Sequence, residues 1–115
     1  MDSRTWTVLT YETGRGEKPI DAFIKKQQVQ GRAKIIHTIR LLVQYGHLLG
    51  MPHSRSLSEG LYELRIRGKE EIRIFYCFIN DRNIYLLHAF KKQKQKTSQK
   101  ELELALKRKK ELTKI

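Results

Sequence analysis

Residues 61–97 read LYELRIRGKEEIRIFYCFINDRNIYLLHAFKKQKQKT, and this stretch decides the fold. Apolar and polar side chains alternate along residues 61–67 and 71–78, and a third β-rich run, NIYLLHAF, covers residues 83–90. Alternation with a period of two is typical of a β-strand that buries one face. Because the three strands are consecutive and joined by the short turns GKE and NDRN, the sequence predicts an antiparallel sheet.

The alternation assigns one face of this sheet to the core and leaves the other face open. The core face would carry the apolar side chains Tyr62, Leu64, Ile66, Ile72, Ile74, Tyr76 and Phe78. The same parity puts Arg65 and Arg73 together on the open face. The basic side chains that extend this surface are Arg67, Lys91, Lys92, Lys94 and Lys96. Guanidinium and ammonium groups are thus predicted to converge on a surface that suits a polyanion.

The net charge points to the same kind of partner. The chain, which we interpret as a single domain over residues 1–115, contains 24 Lys and Arg against 12 Asp and Glu, for a net charge of +12. Residues 1–64 hold nine basic and six acidic side chains, and residues 65–115 hold fifteen and six. A field of this sign attracts phosphate groups or an acidic protein.

The sequence argues against disulfide, metal and membrane chemistry. Its single cysteine, Cys77, lies inside an apolar strand, so no disulfide framework is expected and a reducing compartment is the default. The four histidines, at positions 37, 47, 53 and 88, lack the spacing of paired metal ligands, and we predict neither a metal nor a cofactor. No apolar run approaches membrane-spanning length and residues 1–13 lack the pattern of a signal peptide, so we predict a cytoplasmic protein without a membrane partner.

The segments before the sheet predict one strand and two helices. Residues 5–11 alternate polar with apolar side chains and should form the first strand. Pro19 suits the first turn of a short helix that ends near Gln28. A second helix is expected from about Arg32 to Gly46, and the two helices together make a hairpin that covers the apolar face of the sheet.

Two further segments complete the predicted fold. Residues 47–58, HLLGMPHSRSLS, are interpreted as a loop. Its histidines, His47 and His53, could face a ligand, but a solvated or locally hydrogen-bonded role is favoured for both. The last helix begins at Ser98, which can form a capping box with Glu101. The predicted order is β-α-α-β-β-β-α, an α+β fold with a small antiparallel or mixed sheet, an N-terminal helical hairpin and a C-terminal helix.

The paired arginines indicate phosphate chemistry. Guanidinium presents a planar fork of donors to two phosphate oxygens. RNA cleavage also requires groups that take the proton of the 2′-hydroxyl and protonate the departing 5′-oxygen. His88 is the nearby imidazole, but alternation groups it with Leu86 and Phe90, so a buried structural histidine is about as well supported as a catalytic one. Glu63 shares the arginine face, where ion pairing is favoured over general-base catalysis.

An ordered set of short segments carries a family resemblance. Along the chain the segments are GEKPIDAFI, PHSRSL, LYELRIR, IRIFY, LLHAFKKQKQKT and ELELALKR. Together they resemble the RelE/HigB superfamily of toxins from bacterial type II toxin–antitoxin modules, in particular its phage-derived HigB-like branch. The resemblance spans residues 6–108.

The resemblance implies a RelE-like microbial RNase-type fold and a toxin that enters the ribosomal A site. Such a toxin cuts mRNA there without a metal, through a 2′,3′-cyclic phosphate. Arg73 matches the arginine that contacts the scissile phosphate, and Arg65 matches a catalytic basic position one strand earlier. Lys91, Lys92 and Lys94 fall in the stretch that holds mRNA or ribosomal RNA. The implied protein partner is a cognate antitoxin, a helix-turn-helix protein.

Two positions depart from the family pattern. Glu63 stands where RelE has a further catalytic lysine, and residues 98–115 contain no tyrosine, the residue that RelE uses there. His88 and Tyr76 are the substitutes available as general base. The alternative to a nuclease is a basic module that binds RNA or DNA without cutting it, or a degenerate toxin that acts only in a repressor complex with its antitoxin.

Overall fold

The computed structural model describes residues 5–113. Its elements are β1 (Thr7–Thr10), α1 (Pro19–Lys26), α2 (Val29–Tyr45), β2 (Ser54–Ser56), β3 (Tyr62–Ile66), β4 (Ile72–Ile79), β5 (Asn83–Lys91) and α3 (Gln99–Thr113), with a single 3-10 turn (Gly46–Leu48) after α2. The predicted order β-α-α-β-β-β-α is confirmed, with β2 as an additional short strand. The prediction of a loop over residues 47–58 is wrong for the three residues of β2.

One five-stranded sheet holds these elements together, in the order β1-β5-β4-β3-β2. Neighbours from β2 to β5 pair antiparallel, whereas β1 pairs parallel to the first half of β5. The sheet is therefore mixed, and the antiparallel pairing of the three consecutive strands is confirmed. The long connection that a parallel pair requires is supplied by the helices and strands between β1 and β5.

Both faces of the sheet are covered. On one face, α1 and α2 pack against the sheet through Ile20, Ile35 and Leu42. The second core, on the other face, is formed by Leu61, Phe75, Cys77, Leu87, Phe90 and Ala105 of α3. The expectation of an open second face is therefore wrong. β4 is apolar at both parities from Phe75 onward, so α3 gains apolar contacts by packing there.

A β-bulge in β5 changes which side chains share a face. The register pairs Phe75 with His88 and then skips Leu87, which is the extra residue of β5. Leu87 consequently joins Phe75 in the second core. His88 lies on the same side and stacks on Phe90. The predicted grouping of His88 with Phe90 is confirmed, whereas its grouping with Leu86 is wrong, because strict alternation fails at a bulge.

The helix ends follow local signals in the sequence. Pro19 occupies the first turn of α1. The hydroxyl of Ser98 accepts a hydrogen bond from the backbone N–H of Glu101 at 3.4 Å, as expected of a residue that caps α3. Within residues 5–113, none of the helices combines the length and the apolar character needed to cross a bilayer.

Gly46 ends α2 in a conformation that a side chain would disturb. Its φ is +54°, and a Cβ atom placed there would lie 2.0 Å from Nε1 of Trp6. Trp6 packs in turn on Phe78, with ring centroids 5.2 Å apart. Glycine is required because the indole ring occupies the space that a side chain would fill.

We expect Gly46→Ala to lower the free energy of unfolding by about 2–4 kcal/mol, since it adds both overpacking and positive-φ strain. Gly50→Ala is the matched control, because no atom lies within 4 Å of a Cβ at that position. The control should change stability by less than about 0.5 kcal/mol. Urea titration of both variants measures the difference, and equal stabilities would contradict the packing of Trp6 against Gly46.

Candidate functional site

The register of neighbouring strands aligns the candidate site residues. Arg65 of β3 pairs directly with Arg73 of β4, which confirms that they lie side by side. On its other side, the backbone N–H of Arg65 donates to the carbonyl of His53, one residue before β2, at 2.8 Å. Directly opposed residues of antiparallel strands project to the same side, with Cα atoms roughly 5 Å apart. We call His53, Arg65 and Arg73 the arginine row.

Glu63 lies among the basic side chains of three strands. Its carboxylate is 3.7 Å from Nε of Arg55 on β2 and 4.0 Å from Nε of Arg65 on its own strand. It is also 3.7 Å from Nε of Arg73, whose Nη2 contacts Glu71 at 3.0 Å. The predicted ion-pair role of Glu63 is confirmed. The cluster stays positive, because three guanidinium groups face two carboxylates.

Arg73 is buried, which corrects the prediction that it lies on an open face. Only 3% of its side chain is exposed. The segment after β5 lines one cleft with Arg55 of β2 and Glu63 of β3. In the sheet, β4 lies between β5 and these two strands, so the segment must cross the end of β4. Arg65, with 14% of its side chain exposed, is the member of the pair that a ligand can reach from solvent.

The arginine row holds donors that the described residues do not satisfy. The Nε atoms of Arg65 and Arg73 are buried and have no hydrogen-bond partner within residues 5–113. Burial, followed by the charge of Arg73, lowers the pKa of the Arg65 guanidinium. Buried donors without partners cost free energy. An anion bound at the exposed part of the Arg65 side chain would supply a compensating charge.

Two of the predicted RNA-binding lysines reach this cluster. Lys92 and Lys96 line a cleft of about 360 Å³ together with Arg55 and Glu63. Arg55 pairs with Glu63 across β2 and β3 and therefore projects to the same side. Sequence reasoning missed Arg55 because parity cannot be applied to a segment that is interpreted as a loop.

The other predicted RNA-binding residues lie around this cleft. Lys94 lines an adjacent hollow of about 170 Å³ formed by the segment between β5 and α3. Lys91 forms an ion pair with Glu70 at 3.0 Å. Arg67 lines a different cleft together with Lys34 of α2. Of the predicted RNA-binding residues, Lys92 and Lys96 therefore line the cleft with Arg55 and Glu63, whereas Lys91, Lys94 and Arg67 lie around it.

His88 is not brought into the arginine row. Its Nε2 contacts Oε1 of Glu101 in α3 at 2.5 Å. Phe90, which pairs with Arg73 across β4 and β5, stacks on the imidazole with ring centroids 5.3 Å apart. His88 pairs with Phe75, so it lies diagonally from Arg73 on the same face of the sheet. The contact with Glu101 joins α3 to β5, and the prediction of a catalytic His88 stays a prediction.

Tyr76 is excluded as a general base by its position. It is buried on the face that α1 and α2 cover, on the opposite side of the sheet from the arginine row. Its hydroxyl is hydrogen-bonded to that of Ser54. Burial raises the pKa of Tyr76 to about 12. The interpretation of Tyr76 as a substitute base is therefore wrong, because a buried, protonated phenol cannot take a proton from RNA.

A second cleft opens beside Arg65, between β3 and α2. Its volume is about 380 Å³, and His37 and His53 line it together with Arg65 and Arg67. His53 is half-buried at this cleft, so the prediction of a solvated or locally hydrogen-bonded histidine stays a prediction. Its pairing with Arg65 depends on β2, and three residues are too few for alternation to be recognised in the sequence.

Comparison with known proteins adds the family. A family model described as phage-derived protein Gp49-like (DUF891) matches residues 22–110. The chain belongs to the Gp49-like family. This family is associated with toxin–antitoxin modules. No curated protein matches the chain.

The matched range contains the whole candidate site of this Gp49-like protein. The arginine row, Arg55, Glu63 and the lysines after β5 all lie within residues 22–110. β1 and the first residues of α1 lie outside the match. The family assignment therefore applies to the part of the chain that carries the site.

The thiol and carboxylate groups of the Gp49-like chain are not arranged as a metal centre. Within residues 5–113, no group of three or more His, Cys, Asp or Glu is placed to hold a metal ion. Cys77 is buried in the second core, and burial raises its pKa to about 11. A thiol of this kind is unreactive at neutral pH.

Proposed function

We propose that this Gp49-like protein is the toxin of a toxin–antitoxin module, a metal-independent endoribonuclease that cuts ribosome-bound mRNA and so inhibits translation. The observation that carries the proposal is the arginine row, in which Arg65 and Arg73 are paired across neighbouring strands. Their buried Nε atoms lie 3.7–4.0 Å from the Glu63 carboxylate and have no hydrogen-bond partner within residues 5–113. The family assignment supports the toxin–antitoxin context. The resemblance to RelE-like toxins supports the reaction.

In this proposal Arg65 binds the scissile phosphate. Its side chain is 14% exposed, so a phosphate can reach it from solvent. Arg73 lies behind Arg65, and its buried charge raises the positive potential where screening by water is weak. The two charges stabilise the negative charge that develops on the phosphate oxygens in the transition state.

We assign the proton transfer to His53, whose backbone carbonyl accepts a hydrogen bond from Arg65 and which lines the same cleft as Arg65. His53 takes the proton of the 2′-hydroxyl, and the 2′-oxygen then attacks phosphorus. The bond from phosphorus to the 5′-oxygen breaks, which leaves a 2′,3′-cyclic phosphate and a 5′-hydroxyl. The departing oxygen receives its proton from the imidazolium or from water.

The surrounding basic side chains hold the RNA. Those proposed to contact phosphates of mRNA or ribosomal RNA are Arg55, Arg67, Lys91, Lys92, Lys94 and Lys96. Such contacts release counterions from the nucleic acid, so affinity should fall as the salt concentration rises. They position the RNA, whereas the arginine row acts on one phosphate.

The proposed protein partner is a cognate antitoxin, a helix-turn-helix protein. Large apolar side chains are exposed on α2 and directly after it, namely Val29, Ile36, Tyr45, Leu48 and Met51. Exposed apolar groups of this size are typical of protein contact sites. The net charge of +12 favours a partner with an acidic surface.

Pulse induction without antitoxin should arrest growth and produce new 5′ ends within translated regions of mRNA. Cutting should depend on the ribosome, because this small domain offers little surface for recognising a folded RNA by shape. Mapping of 5′ ends with and without ongoing translation measures both effects. Arg65→Ala at matched expression is the control and should give no new ends.

Two outcomes would contradict parts of the proposal. Binding of RNA without any new 5′ ends would favour the non-catalytic basic module. Cleavage of purified naked mRNA at the rate seen on ribosomes would remove the ribosome from the reaction.

A further inference from the structure

The cleft between α2 and β3 combines an apolar floor with a basic rim. Its volume is about 380 Å³, and its buried lining includes Thr38 and Ile66. Two imidazoles, of His37 and His53, line it as well, one contributed by α2 and one by the segment before β2. The cleft therefore presents both apolar surface and flat aromatic rings beside Arg65.

The charge of this cleft is positive. Lys34 and Arg67 line it with Arg65, and no described acidic side chain does. α2 contains no aspartate or glutamate from Val29 to Tyr45. Arg65, whose side chain is 14% exposed, is the arginine of the arginine row that lines this cleft. A ligand that fits here is planar or apolar in one part and anionic in another.

We propose that the cleft binds one RNA nucleotide, with its base against the imidazoles of His37 and His53 and its phosphate at Arg65. Unpaired RNA bases stack on aromatic rings, including histidine, and on guanidinium planes. The inference rests on the proposed function, and it makes α2 the element that selects the base next to the cleavage point. Lys34, which also lines the cleft from α2, is the side chain proposed to contact the edge of the base.

Titrations of the full chain, followed by nuclear magnetic resonance, test the site directly. The probes are the 3′-monophosphates of adenosine, guanosine, cytidine and uridine, with ribose 3-phosphate as the ligand that lacks a base. We expect the imidazole signals of His37 and His53 to shift, and at least one nucleotide to bind about tenfold or more tightly than ribose 3-phosphate. Equal affinities for all five probes would overturn the proposal, because the cleft would then bind anions only.

Replacing either of two native alanines by leucine tests the site, and one of the two variants is the matched control. Ala33 on α2 lines the cleft, whereas Ala22 on α1 lines a different one, and both side chains are exposed on helices. Ala33→Leu should weaken nucleotide binding by about tenfold or more because it fills the cleft, and Ala22→Leu should leave binding unchanged. Unchanged nucleotide affinity in Ala33→Leu would overturn the proposal.

The inference and the proposed function fail in different ways. Base-dependent nucleotide binding without RNA cleavage would support the nucleotide site and contradict the proposed nuclease activity. RNA cleavage together with base-independent binding would support the nuclease activity and contradict the nucleotide site.

Discussion

Replacing His53 by glutamine should slow single-turnover cleavage of ribosome-bound mRNA by about 10²- to 10⁴-fold, the range for a positioned proton-transfer group. Glutamine retains hydrogen-bonding groups but cannot exchange a proton at neutral pH. The fold should persist, because His53 is joined to Arg65 through its backbone carbonyl, which the substitution leaves in place. The rate is measured with protein in excess over ribosomes, so that binding does not limit it.

His88→Gln is the matched control for that experiment. The His88 imidazole contacts Glu101 and stacks on Phe90, and His88 is not a member of the arginine row. Glutamine can keep a hydrogen bond to Glu101, so the melting temperature should fall by no more than about 4–8 °C. Cleavage by the folded protein should stay within about threefold of the unchanged protein. If the cleavage rate fell a hundredfold in His88→Gln but not in His53→Gln, the general base would be His88 with Glu101, and not His53.

The second large effect is expected at the arginine pair, where two substitutions should differ in stability. Arg65→Ala and Arg73→Ala should each lower the cleavage rate by about 10²- to 10³-fold, since each removes a charge that stabilises the transition state. Arg65→Ala should keep its fold. Burial and the neighbouring charge of Arg73 lower the pKa of Arg65, which means that its charge is unfavourable in the folded protein.

Arg73→Ala should in contrast lower the free energy of unfolding by about 2–4 kcal/mol. It leaves the buried carboxylate of Glu63 with fewer partners and removes the contact with Glu71. The cost is below that of an isolated buried pair, because Arg55 and Arg65 remain near Glu63. Urea titration of both single variants measures the difference.

A double substitution separates the structural role of Arg73 from its chemical role. Arg73→Met with Glu63→Gln removes both buried charges, so stability should recover in part while cleavage stays low. Arg73→Ala as stable as Arg65→Ala would contradict the buried ion cluster. Full cleavage activity in both single variants would place the phosphate site elsewhere on the protein.

Local periodicity was sufficient to predict the centre of the sheet. The alternation in residues 61–67 and 71–78, with a short turn between them, specified β3, β4 and the placement of Arg65 beside Arg73. Pro19 and Ser98 marked the starts of α1 and α3. These features depend on residues that are close in sequence, where propensity and turn chemistry act directly.

Other features could not be read from local patterns. β2 is only three residues long, so neither Arg55 nor the pairing of His53 could be recognised from alternation. The bulge at Leu87 shifts the parity of β5 without an obvious signal such as glycine. The burial of Arg73 and the approach of the segment after β5 to Arg55 and Glu63 are likewise tertiary features.

The sequence by itself determined the α+β order, the basic surface and the arginine pair. Only the tertiary structure decided which imidazole adjoins Arg65, which arginine a ligand can reach, and that α2 forms one wall of a cleft beside the site. The physical reason is that side-chain parity and net charge are local properties of the chain. Burial and neighbourhood are instead set by contacts between segments that are distant in sequence.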